Sequence, residues 1–201
     1  EQKMRDRGIE FRVMFKEAQE GEYPVSVFEM PDAENAEECA KNLLFFSKSG
    51  MIKKTAWSEY FLLKNYFQAT KFKDDDYLVD VQSENTDPKC TILFVTKFGM
   101  ALNAFTDDIP LQGRISGGVK GIMLADGDEV ILSSQAMPNN RIAVVSDKGY
   151  AKKVKLAEIE PMARYRKGVK IMDLTASNNG KTLLFSAVID KPFTIVIEAK
   201  N

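Results

Sequence analysis

Ile92-Leu93-Phe94-Val95-Thr96-Lys97-Phe98-Gly99 decides the fold, because the chain repeats its pattern on either side. Leu43-Leu44-Phe45-Phe46-Ser47-Lys48-Ser49-Gly50 and Ile142-Ala143-Val144-Val145-Ser146-Asp147-Lys148-Gly149 align with it without gaps, and the closing glycines stand 49 and 50 residues apart. Each copy is a short apolar run, then a polar turn ending in glycine, then a second extended stretch: Met51 to Thr55, Met100 to Ala104, Tyr150 to Lys155. That order of signals predicts a β-hairpin. A weaker fourth copy begins at Leu183-Leu184-Phe185-Ser186, 41 residues after Ile142, with its partner strand expected over Phe193 to Glu198. Terminal repeats are commonly atypical.

The segments between hairpins also correspond. Gln112 to Ile131 reads Q-G-R-I-S-G-G-V-K-G-I-M-L-A-D-G-D-E-V-I, and its Gly113 to Lys120 lies 50 residues before Ala163 to Lys170. Arg114 therefore matches Arg164, and Lys120 matches Lys170. The first unit is shorter here, with Lys64 to Lys71 in the equivalent place and no residue-by-residue alignment. Acidic pairs follow, in Asp74-Asp75-Asp76 and in Asp126-Gly127-Asp128, where side-chain to backbone bonds shape tight turns. Several short strands per unit at a period near 50 residues predict an all-β, propeller-like array of about four blades, roughly 9–60, 61–109, 110–159 and 160–201. On that reading residues 1–201 form one domain, and Ile9 to Phe15 and Val25 to Met30 supply strands to the first blade. Asp32 to Ala40 has good helix formers and no β-branched residue, so a short helix or loop excursion is expected there.

Composition narrows the function. A chain of 201 residues with 44% hydrophobic content buries a sizeable core. Lys+Arg 28 against Asp+Glu 29 leaves a net charge of −1, so nucleic-acid binding would need segregated charge. The absence of histidine removes the usual general base and every His-ligated metal site. Cys39 and Cys90 lack metal-site spacing and read as reduced thiols of a cytoplasmic protein. No apolar run reaches the length of a membrane span. The opening on Glu1-Gln2-Lys3 is what a piece of a longer protein would show.

Segregated charge is what the repeats supply. Lys53, Lys54, Lys152, Lys153 and Lys155 fall on second hairpin strands, while Arg114, Lys120, Arg164, Arg166, Lys167 and Lys170 fall on the turn segments. Around an axis, equivalent positions share a rim. A curved cationic track would then hold a duplex by its phosphates, with weak sequence preference, and bend it. The second repeat interrupts the track, because Leu102-Asn103 replaces Lys53-Lys54. The alternatives are a solvated face, or an interaction platform for an acidic partner. Gly117-Gly118-Val119-Lys120-Gly121 lacks Walker spacing. Trp57 aligns with Leu156 and reads as packing, and Tyr165 aligns with Ile115 and reads as a rim residue. Asp107-Asp108 and Asp126/Asp128 have no nucleophile and positioned base beside them, so no catalytic centre, metal or cofactor is expected.

The pattern of an apolar run, Thr-Lys-x-Gly, a basic strand, and then G-R-x-x-x-G-V-K-G-I-x-L-x-x-G-D-x-V resembles the C-terminal domain of bacterial type IIA topoisomerase A subunits, covering residues 40 to 175 best. That resemblance implies a β-pinwheel, a propeller-like disc whose basic rim binds and bends duplex DNA. It also implies partners in a parent enzyme: the catalytic core of the same polypeptide and an ATPase B subunit, in an ATP-hydrolysing DNA topoisomerase. The gyrase hallmark box, Q-R-R-G-G-K-G, has its nearest counterpart in Gln112 to Gly121, which keeps the glutamine, one arginine, the glycines and the lysine with extra residues between them. No intact box occurs, which points toward a topoisomerase IV-like or divergent gyrase-like protein.

Overall fold

The computed structural model describes residues 7–29, 41–64, 66–73, 75–192, 194 and 196. A four-residue helix, α1 (Phe11–Met14), precedes a chain of strands. The first sheet has the order β3 (Leu78–Ser83), β1 (Asn42–Ser47), β2 (Met51–Ala56), β6 (Val119–Lys120). The second runs β7 (Val130–Ala136), β4 (Thr91–Thr96), β5 (Met100–Phe105), β10 (Val169–Lys170), and the third β11 (Leu183–Ile189), β8 (Arg141–Ser146), β9 (Ala151–Lys155). Every pairing within them is antiparallel.

The repeated hairpins form as read, and for the same chemical reason each time. Gly50, Gly99 and Gly149 take φ of 80°, 80° and 78° at the turns, a conformation that costs glycine little. A side-chain hydroxyl, from Ser or Thr, then ties each turn. The amide of Met51 donates to Ser47 Oγ (3.1 Å), that of Met100 to Thr96 Oγ1 (3.3 Å) and that of Tyr150 to Ser146 Oγ (3.2 Å). The acids also act on backbone: Asp76 Oδ1 accepts from the Ser49 amide (2.8 Å), and Asp128 Oδ1 from the Phe98 amide (3.0 Å). Asp75 at φ 67° stands where Gly127 stands at 74°.

Alternation along the strands gives the first two sheets an apolar residue set on each face, and the third sheet stacks on the second through one. Leu44, Phe46 and Ile52 of the first sheet meet Ile92, Phe94, Leu102 and Ala104 of the second. Leu93, Val95 and Ala101 meet Ile142, Val144 and Val154 of the third. The remaining face of the first sheet, with Leu43, Phe45 and Val81, is covered by Trp57, Tyr60, Phe67 and Phe72.

An ionic clasp joins the first two hairpin turns. Glu129 lies 2.6 Å from the Lys48 ammonium and 3.3 Å from that of Lys97. Lys48, and then Lys97, hold the Glu129 carboxyl below the usual carboxylate range. A depressed folded pKa contributes stability that is present above the unfolded value and is lost as pH falls. We therefore expect Glu129→Gln to cost about 1 kcal/mol at pH 7 and almost nothing at pH 3, measured by urea unfolding at both values. An equal cost at both would assign the effect to packing instead.

Strand pairing redraws the blades expected from contiguous cuts. The outer strand of the first sheet, β6, lies beyond the second hairpin in sequence, and β10 lies beyond the third. Each of these two sheets thus borrows its last strand from the following repeat. Among the described residues there are three sheets rather than four, because Leu183 to Ile189 completes the third sheet against β8 instead of opening another. Ile9 to Phe15 and Val25 to Glu29 carry no strand. The reason is geometric: β3 and β6 already occupy both edges of the first sheet. Residues 25–29 pack beside it instead, with Ser26 Oγ donating to Val81 O (3.0 Å) and Phe28 set edge-on to Trp57. The helix or loop expected over Asp32 to Ala40, and Cys39, lie outside the described residues, as does most of the strand expected over Phe193 to Glu198.

Candidate nucleic-acid interface

Which edge of each sheet faces outward follows from strand order. β7 lies against β3 on one side and β11 on the other, so the third strands of the three blades converge. Gln82 and Gln135 stitch that inner edge, with the Gln135 amide donating to Gln82 Oε1 at 2.9 Å. β6 and β10 are at the opposite edges, on the rim. Each is introduced by a glycine that must lack a side chain. A Cβ at Gly118 would come 2.5 Å from Ile52 O, and one at Gly168 would come 2.2 Å from Ala101 O. The close approach these glycines permit is to the preceding blade of the same chain.

The two repeat-matched arginines occupy matched places but act as struts. Arg164 donates from Nε to Asp108 O (3.1 Å) and from Nη1 to Lys120 O (3.1 Å). Arg114 donates from Nη1 to Gln68 O and lies over the Phe67 ring. Their own amides are held by matched carboxylates: Glu59 Oε2 for Arg114 (3.3 Å) and Asp108 Oδ2 for Arg164 (3.2 Å). Asp108 thus belongs to the scaffold. The same contacts supply the alignment that the sequence lacked, since Gln68 receives what Lys120 receives.

Lys53 does not reach the rim. Its side chain is fully buried, and Nζ donates to Arg114 O (2.6 Å), Ala69 O (2.7 Å) and Tyr60 Oη (3.2 Å) while lying over the Phe45 ring. Burial, with the nearby Arg114 charge, pushes its ammonium down to about 8. The register explains the misplacement: Lys53 pairs with Phe45 and shares its face, the one covered by Tyr60 and the 66–73 segment. Lys54, on the other face, is half-buried and paired with Glu84 at 3.2 Å.

The other expected cations are exposed or nearly so. Lys120 on β6 and Lys170 on β10 hold equivalent rim positions, with Arg166 and Lys167 on the loop entering β10. Lys170 pairs with Asp173 at 3.0 Å, both well exposed. Lys152 donates to Ile171 O (2.8 Å), while Lys153 and Lys155 lie on the face of β9 turned away from the second sheet. Leu102 and Asn103, where an interruption of the track is expected, are both buried in β5, and Lys170 of β10 pairs nearby with Met100. Trp57 is buried as packing, and Tyr165 is an exposed loop residue at φ 59°. Two rim lysines are hidden from a reading by repeats, Lys71 and Lys73, because they lie in the unit that does not align; the Asp75/Gly127 turn would have aligned it.

Comparison with known proteins agrees with this geometry. The family described as DNA gyrase C-terminal domain, beta-propeller matches residues 41–83, 91–132 and 140–183. The A subunit of DNA topoisomerase 4 from Bacillus subtilis (strain 168) is 32% identical over 133 residues, 65% of this chain and 16% of that protein. The DNA gyrase A subunit of Metamycoplasma arthritidis (strain 158L3-1) is 30% identical over 154 residues, 75% of this chain and 16% of the relative. Both relatives are thus several times longer than this chain. A solved structure of the C-terminal domain of DNA topoisomerase IV superposes with a TM-score of 0.70 at 29% identity, covering 78% of this chain and 48% of that one. A DNA gyrase A C-terminal domain shares the fold, with a TM-score of 0.61 at 20% identity over 76% of this chain and 50% of that one. With three hairpin units matched across more than half its length, the chain belongs to the DNA gyrase C-terminal β-propeller domain family.

Proposed function

We propose that this chain is a duplex-DNA-binding accessory domain of an ATP-hydrolysing type II DNA topoisomerase, bending DNA along its rim to present a segment for strand passage. The observation that carries the reading is the placement of Lys120 and Lys170 at equivalent outer positions of successive blades, with Arg166, Lys167 and Lys152 beside them. Phosphate contacts spaced along a curve favour a bent duplex, because each added contact offsets the bending cost, on the order of 1–6 kcal/mol for a short site. Arg114 and Arg164 support the track by fixing the rim loops. The catalytic core of the same polypeptide, an ATPase B subunit and a cytoplasmic setting complete the proposal. Within it this domain needs no metal or cofactor, since it acts by holding DNA.

A salt titration of binding to plain duplex tests it. Binding at roughly micromolar or better at low salt is expected, with a log–log slope of about −0.9 for each phosphate neutralised. No binding at low salt would remove the reading in favour of an acidic protein partner. Charge reversal at Lys153, Arg166 and Lys167 should weaken binding without lowering thermal stability.

A further inference from the structure

A cleft of about 560 Å³ opens at the junction of the first and second blades. Three exposed lysines converge on it from two segments: Lys71 and Lys73 from the strand-free stretch before β3, and Lys120 from β6. Its lining otherwise includes the apolar side chains of Met51, Ile122 and Leu124, with Tyr165 as one wall. Lys120 is oriented by Tyr165, donating to its hydroxyl at 3.2 Å and lying 4.8 Å from the ring centroid. Among the described residues the one lining carboxylate, Asp76, is already engaged, accepting from the amide and hydroxyl of Ser49. Among the described residues no carboxylate pairs with the ammonium of Lys71, Lys73 or Lys120.

The next repeat does not reproduce this. The Lys71 amide donates to Ser116 O as the Met123 amide does to Arg166 O, so Met123 stands where Lys71 stands and Ala125 where Lys73 stands. Among the described residues the equivalent positions of the second junction therefore lack these two cations.

We propose that this cleft is a discrete grip on the sugar–phosphate backbone of duplex DNA, resting on the DNA-binding reading above. Three ammonium groups around an apolar floor suit a phosphate with its adjoining deoxyribose: the lysines bind the phosphate oxygens, and the sugar covers the apolar side chains. The contact carries no sequence information, and it fixes where the duplex crosses from one blade to the next.

The test is fluorescence anisotropy of the full chain with a labelled mixed-sequence duplex of about 30 base pairs, titrated with salt. Lys71→Ala with Lys73→Ala is expected to weaken binding roughly tenfold at low salt and to reduce the slope by about 1.8 units. Lys89→Ala with Lys181→Ala, exposed lysines outside the cleft, should change both far less. Lys71→Gln with Lys73→Gln keeps the side-chain stems and should reproduce the loss, excluding a folding effect. If the unaltered chain binds no duplex, the domain reading falls and takes the cleft with it. If it binds, and the Lys71/Lys73 pair leaves affinity and slope unchanged or the Lys89/Lys181 pair costs as much, the cleft proposal alone is overturned.

Discussion

Phe94→Ala is expected to lower the unfolding free energy by about 3–5 kcal/mol, the cost typical of emptying a well-packed aromatic site. Phe94 is fully buried between the first two sheets and meets Phe46 edge-on, with ring centroids 6.1 Å apart. It also explains Gly121, where a Cβ would come 2.4 Å from Phe94 Cζ. That contact makes the prediction specific. Gly121→Ala should be destabilising in the unaltered protein and better tolerated once Phe94 is alanine, a coupling that a double-mutant cycle in guanidinium unfolding would read. A loss below about 1 kcal/mol for Phe94→Ala would mean that the first two blades are not held together through this ring.

The second large effect is a pH dependence centred on Lys53. Its folded value of about 8 lies below the ordinary 10.5. Between those values the unfolded chain binds more protons than the folded one, so stability contributed by this site rises with pH. From pH 7 to pH 10 the gain is about 2–3 kcal/mol. Lys53→Met abolishes it, so the difference in stability between the two proteins should shift toward the unaltered one by that amount. Taking the difference also cancels the Cys90 thiol, which burial raises and which opposes the trend in both proteins. Tyr60, pushed up to about 12 by burial, stays protonated in the folded protein over this range. A flat difference across the range would show that the Lys53 ammonium is not desolvated. Because the same ammonium holds Arg114 O and Ala69 O, Lys53→Met should also loosen the 112–118 loop, visible as faster amide exchange there.

Much of this is readable from residues alone. A glycine at φ near 80° and a Ser or Thr that ties each turn are local requirements, written into three consecutive units. Asp76 and Asp128 do bond to backbone, but to the amides of Ser49 and Phe98, 27 and 30 residues away, so they tie the hairpin turns of neighbouring strands. The candidate interface is less legible. Arg114 and Arg164 match by repeat, yet their guanidinium groups are occupied by carbonyls brought in from residues 46 and 44 positions away. Lys71 and Lys73 are hidden because their unit carries an aspartate where the next has glycine at the same positive-φ turn.

The amino-acid order by itself determined the repeat, the hairpins and the identity of the two rim strands' lysines, because turn chemistry and the two-residue alternation of a strand act over a few residues. Only tertiary structure decided that each of the first two blades is closed by a strand from the following repeat, and that one lysine of an adjacent pair is interior and the other ion-paired. Those outcomes depend on which sheet edge is free and which face is covered, and both are set by residues tens of positions distant.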